Sequence, residues 1–342
     1  MENHIIKTAA EIFSSASVVG GKESSGPLGN AFDLRDPSDR FGMKTWEKAE
    51  SEMQRLALNT ALAKADIGAE EVGALFAGDL LNQCVGSAYG LQNFGIPYIG
   101  LYGACSTCAE SLLLSSLMVS YGMSHVAAAV TSSHYCSAER QYRAPVEYGA
   151  QRAPTAQWTV TGAGAFLVRK ADTTGGASSE GRAVVRRCMI GRVQDSGVAD
   201  AANMGAAMAP AALDTLCRFF EESQMDPHEY DLIVTGDLGW EGGDILCTLM
   251  HTEGYDVDSN YNDCGRMIFD RERQDVHGGG SGCGCSAVVL SADILPKVKR
   301  GELKRILFLA TGAMMSPDSL KQGQKVLSVA HLLEIEHVEG RE

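Results

Sequence analysis

Pro97-Tyr-Ile-Gly-Leu-Tyr-Gly-Ala-Cys-Ser-Thr-Cys-Ala-Glu-Ser-Leu-Leu-Leu-Ser-Ser-Leu-Met118 is the stretch whose reading decides the fold. Tyr98 to Tyr102 form a short apolar run of the kind a buried strand makes. After Gly103 and Ala104, apolar residues recur at helical spacing: Leu112, Leu113, Leu117 and Met118. A strand that turns through Gly-Ala into a helix puts Cys105 at the elbow, with unpaired N–H groups and the positive helix pole aimed at its sulfur. Such an elbow serves either a thiol of lowered pKa or an anion site built from backbone.

Upstream, Ser14-Ser-Ala-Ser-Val-Val19 reads as the first strand, behind a frayed lead-in over 1–13 and ahead of a glycine-rich loop over 20–29. Thr45 caps a helix whose apolar face is Trp46, Met53, Leu56, Leu58 and Leu62. Ala74-Leu-Phe-Ala-Gly-Asp-Leu-Leu81 follows as a buried strand and its exit. The pattern then recurs. A helix over about 206–222 precedes Asp231-Leu-Ile-Val-Thr-Gly-Asp-Leu-Gly239, so that Asp237 repeats Asp79. The Cys105 elbow is echoed by Gly278-Gly-Gly-Ser-Gly-Cys-Gly-Cys-Ser286, and Val126-Ala-Ala-Ala-Val-Thr-Ser-Ser133 by Ile306-Leu-Phe-Leu-Ala-Thr-Gly312. Three echoes in one order predict an internal duplication, with halves over 1–170 and 181–342 and a turn-rich link over 171–180. Continuous apolar strands alternating with helices imply sheets covered on both faces, with ligands outside the strand ends.

Composition narrows the function. The chain has 342 residues, 45% of them hydrophobic and 21% charged, and a formal charge of −14. That balance suits a globular core and argues against nucleic acid or direct docking on an anionic bilayer. No apolar run reaches the roughly 20 residues of a membrane span, and no signal-peptide pattern opens the sequence. The expected place is the cytosol unless a partner carries the protein to a membrane. The ten cysteines then read as reduced thiols. Cys105-x-x-Cys108 and Cys283-x-Cys285 fit zinc spacing poorly, so no metal is expected.

At these residues the chain resembles the thiolase-like superfamily, whose duplicated halves form a five-layer α/β/α/β/α sandwich with a nucleophilic cysteine where Cys105 lies. Within it the chain is similar to the stage V sporulation protein AD family. The segments that carry this likeness are Leu101-Tyr-Gly-Ala-Cys-Ser-Thr107, Ala138-Glu-Arg-Gln-Tyr-Arg143, Pro154-Thr-Ala-Gln-Trp-Thr-Val-Thr-Gly-Ala-Gly164, Asn203-Met-Gly-Ala-Ala-Met-Ala-Pro210 and the run from Gly279 to Ser286. The resemblance implies a sporulation protein that binds dipicolinic acid (pyridine-2,6-dicarboxylic acid), as free acid or calcium salt. It would help load that compound into the developing spore together with other stage V sporulation membrane proteins, and have a part in germination. It further implies a homodimer peripheral to the forespore or spore inner membrane on its cytoplasmic face, with no cofactor.

Active superfamily members pair the cysteine with two histidines, a histidine and an asparagine, or a histidine and a second cysteine, which move protons and hold the thioester oxyanion. Here the corresponding positions hold Gly236-Asp237-Leu238, a glycine-cysteine loop over 279–285, and Ala310-Thr-Gly312. The expectation is therefore a pseudoenzyme with a vestigial nucleophile at Cys105. An acyl-CoA-dependent acyltransferase or condensing enzyme, and a purely structural scaffold for a membrane channel, are the alternatives. The anion-site candidates are Cys105, Ser106 and Thr107 at the helix start, Ser132, Ser133 and His134 after the next strand, and Ser281 and Cys283 in the duplicated loop, with Asp237 lining the site. Arg140 and Arg143 either fork onto a carboxylate or pair with Glu139 and Glu147 at an interface. His134 either faces the site or is a hydrogen-bonded loop histidine.

Overall fold

The computed structural model describes residues 4–142, 152–171 and 181–340. The link expected over 171–180 lies, apart from Ala171, outside the described residues, and so does Arg143.

The first half contributes strands β1 (Ile6–Gly20), β2 (Leu34–Asp36), β3 (Ala74–Gly78), β4 (Tyr98–Gly100), β5 (Val126–Ser133), β6 (Trp158–Thr159) and β7 (Gly162–Lys170). The second contributes β8 (Arg182–Met189), β9 (Gln194–Asp195), β10 (Leu232–Thr235), β11 (Tyr261–Asp263), β12 (Gly280–Ser281), β13 (Arg305–Met314) and β14 (Leu327–Val338). Spatial order runs β4-β3-β5-β7-β1 in one half and β11-β10-β13-β14-β8 in the other. Both repeat the same directions: the first three strands are parallel and the last two pairings antiparallel. Parallel neighbours need helical crossovers. Val85–Leu91 and Thr107–Ser120 supply them in the first half, and Gly239–Thr252 and Cys283–Val289 in the second. The sequence echoes fall on matching strands, β3 with β10 and β5 with β13.

The layers follow from what each helix covers. Thr107–Ser120 packs on β3, β5 and β7 of one half and on β13 and β14 of the other. With Cys283–Val289 it fills the middle layer through Leu112, Leu113, Val288 and Val289, against Phe166 and Phe308 of the two sheets. A helix buried on every side carries apolar residues all round, as this one does. Trp46–Ala65 covers the outer face of the first half with Met53, Leu58 and Leu62, and Met204–Ser223 covers the second with Met208, Leu216 and Phe219. Thr45 caps the first of these through its hydroxyl, which accepts from Lys48 N. The result is the five-layer α/β/α/β/α sandwich.

Two local expectations change. The lead-in is not frayed from Ile6 onward. Residues 6–13 are the first half of β1, which joins the two half-sheets by pairing with β8 (Ile6 opposite Cys188, Glu11 opposite Val184). Its polar Glu11 is buried but paired with Arg169 of β7, so the strand hides a charge that a local pattern reads as surface. Of the Tyr98 to Tyr102 run only Leu101 is buried. β4 lies at the sheet edge, and Ile99 is 49% exposed. Among the described residues no helix is long and apolar enough to cross a membrane.

Candidate functional site at the Cys105 elbow

The chain leaves β4 and turns through Ala104, whose φ of 52° is left-handed backbone seldom adopted by a residue with a Cβ. The turn is held by its own hydroxyls. Ser106 Oγ donates to Gly103 O at 2.6 Å, while Thr107 Oγ1 donates to Ala104 O at 2.7 Å and accepts from Gly103 N at 3.1 Å. β13 crosses directly over this turn, where a Cβ on Gly312 would collide with Gly103 O. Cys105 is thereby presented at the junction of the halves.

Its partner comes from the second half. The Cys105 thiol lies beside the Asp237 carboxylate, which accepts from Gly282 N at 2.9 Å (Oδ2) and from Thr311 Oγ1 at 2.9 Å (Oδ1). Gly282 sits at φ 103°, where a Cβ would meet Ser133 Oγ at 2.5 Å, so glycine is required to aim that N–H. Behind Asp237, the Asp263 carboxylate accepts from Leu238 N at 2.8 Å and Gly239 N at 2.9 Å and fixes the turn. Burial pushes Asp237 up to about 7. Burial first, then the Asp237 charge, holds the Cys105 thiol well above its ordinary value. Desolvation and a neighbouring carboxylate therefore outweigh the helix start.

Cys105 opens onto a cavity of about 50 Å³ lined by Leu80, Ala104, Ala138, Glu139, Tyr142, Thr159, Met204, Ser281, Ala313 and Met315. Most of this wall is apolar. Its one charged side chain is Glu139; among the described residues no lysine, arginine or histidine lines it.

Of the residues singled out in the sequence, Cys105 and Ser281 line the cavity and Asp237 stands behind the sulfur. Cys283 packs with Cys105, Leu80 and Ala138, and its thiol donates to Ser132 O at 2.9 Å. Ser106 and Thr107 hold the turn rather than offering hydroxyls to a ligand. The others point elsewhere. Ser132 Oγ donates to Glu50 Oε1 at 3.0 Å, and Ser133 Oγ donates to Val160 O at 2.7 Å. His134 accepts from Cys136 N at Nδ1 (3.1 Å) and so carries its proton on Nε2, donating to Asp39 O at 2.9 Å. It is a hydrogen-bonded loop histidine, and burial lowers its pKa. Arg140 pairs with Glu47 of the outer helix, not with Glu139. Arg143 is outside the described residues. Met204, Tyr142 and Met315 were missed: each is distant in sequence from the elbow, and only folding brings them to it.

A duplicated five-layer sandwich with a cysteine at the strand-to-helix elbow between its halves defines a thiolase-like protein. The chain is similar to two solved structures of cerulenin-bound OleA from Xanthomonas campestris. One, from a soak, is 16% identical with TM-score 0.61, covering 98% of this chain and 99% of that one. The other, a co-crystal, is 15% identical with TM-score 0.60, covering 96% and 97%. At that identity the likeness is one of fold. The model of the stage V sporulation protein AD family matches residues 2–336. The stage V sporulation protein AD of Bacillus subtilis (strain 168) is 38% identical over 327 residues, 96% of this chain and 94% of that protein. The chain belongs to the stage V sporulation protein AD family.

Proposed function

We propose that the chain is a non-catalytic sporulation protein that binds dipicolinic acid in the cavity beside Cys105 and assists its loading with membrane-embedded stage V partners. In this reading it works as a homodimer on the cytoplasmic face of the forespore membrane. The observation that carries the reading is the Cys105–Asp237 pair. A buried thiol held protonated beside a carboxylate is not a poised nucleophile, and among the described residues no histidine hydrogen-bonds to it. What is left is a mostly apolar slot with a hydroxyl from Ser281 and another from Thr159. Around 50 Å³ is room for little more than solvent, so a planar ring enters by moving the flexible Met204 and Met315 side chains. The ligand enters as the free acid or as its calcium salt, two forms that binding with and without Ca²⁺ distinguishes.

Calorimetry tests this with dipicolinate in the presence and absence of Ca²⁺. The expected result is binding in at least one of the two conditions, weakened at least tenfold by Ala138→Leu, which fills the slot with a residue that keeps the helix. No heat at millimolar ligand under either condition would overturn it. Multiple-turnover release of CoA from acyl-CoA would replace it with the acyltransferase reading.

A further inference from the structure

We propose that His251, Asp256 and Asp258, with His228 beside them, form a binding site for a late first-row divalent cation, zinc by its donor set. Donors held 2.0–2.1 Å from a tetrahedral zinc lie about 3.4 Å from one another. His251 Nε2 is 3.3 Å from Asp258 Oδ1 and 3.5 Å from Asp256 Oδ1. The three ligand atoms all fall within 4.8 Å of one another. His228 Nε2 is 3.9 Å from Asp256 Oδ2 and lies outside the three mutually close donors, so it reaches the ion as a fourth ligand by a side-chain rotation. Two imidazoles and two carboxylates are a borderline donor set that suits zinc and cobalt better than magnesium or calcium.

The fold sets this geometry in advance. Val257 is 1% exposed and anchors the loop in the core, which turns its neighbours Asp256 and Asp258 outward. Asn260 Nδ2 donates to Pro227 O at 2.8 Å and Tyr230 O at 2.7 Å, so the same loop is tied to the turn that carries His228. Asp258 N donates to Asp256 Oδ1 at 3.1 Å and orients that carboxylate. His251 lies in the last turn of the Gly239–Thr252 helix, whose negative C-terminal pole favours a cation. Among the described residues no lysine or arginine pairs with either aspartate; the groups beside them are the two imidazoles. A bound cation therefore relieves two adjacent carboxylates and ties three elements of the outer second-half layer together. None of these residues lines the Cys105 cavity.

The test uses the full chain, stripped with chelator and titrated with Co²⁺, then with Zn²⁺. The expected result is one Co²⁺ per chain with the intense visible bands of a four- or five-coordinate ion, displaced by Zn²⁺. Zn²⁺ should raise the melting temperature of the parent protein. His251→Ala and Asp258→Asn should each weaken Co²⁺ binding at least tenfold and abolish that rise, with unchanged circular dichroism. His228→Ala should weaken binding less. Three results would overturn the proposal: no stoichiometric Co²⁺ uptake, uptake indifferent to both substitutions, or the near-ultraviolet charge-transfer band of thiolate ligation, which would assign the metal to cysteines.

Discussion

At the scale of single residues, burial and a neighbouring carboxylate decide what the elbow does to its sulfur. A helix start favours thiolate, but burial and Asp237 disfavour it more, and Cys105 keeps its proton. Asp237→Asn removes the charge while leaving an acceptor for Gly282 N. Alkylation of Cys105 by iodoacetamide at mildly alkaline pH, followed by peptide mass, should then speed up about tenfold for each pKa unit the thiol recovers. A slower reaction would instead identify Asp237 as the group that takes the thiol proton, and the acyltransferase reading would return. The cysteine at the elbow was legible in the sequence from Gly103-Ala104-Cys105 alone. Its partner was legible only as a duplicated Gly-Asp-Leu, because the contact spans two halves that the sequence does not orient.

Between elements, the buried polar links matter more than the apolar ones for how the cavity responds to pH. Glu50 of the Trp46–Ala65 helix accepts from Ser137 Oγ at 2.6 Å on the Tyr135–Tyr142 helix, which supplies Ala138, Glu139 and Tyr142 to the cavity. Burial, and then the neighbouring Asp79 charge, push Glu50 up to about 8. A carboxyl whose folded pKa is raised is held protonated by the fold. Its contribution is complete below the unfolded value near 4.5 and is lost as pH rises towards about 8. Glu50→Gln mimics the protonated form, so the melting temperature of that variant should decline less between pH 5 and 8. At the alkaline end it should exceed the parent by on the order of a few degrees. Parallel declines in the two proteins would show that Glu50 does not titrate in this window.

For the whole molecule, the exposed edge is the informative surface. β4 closes one end of its half-sheet with Tyr98 and Ile99 exposed, followed by exposed Tyr102. An edge of this kind offers unpaired backbone groups and apolar side chains to another strand. The homodimer proposed above would bury it. Ile99→Lys is therefore expected to shift the protein from dimer to monomer by light scattering with unchanged circular dichroism. A parent protein that is already monomeric at micromolar concentration would remove the dimer from the proposed function.

The sequence by itself determined the repeated strand-helix plan, the elbow that carries Cys105 and the Thr45 cap, because each rests on periodicity or on contacts within a few residues. It misjudged β1 and β4 for one shared reason: burial of a strand depends on what lies beside it, and a run of side chains does not record whether a neighbour is present. Only the tertiary structure decided that Ser132, Ser133, His134 and Arg140 serve other contacts while Met204, Tyr142 and Met315 close the cavity. Those assignments depend on how two separately patterned halves meet, and their relative placement is set by packing summed over the whole core, not by any local stretch of chain.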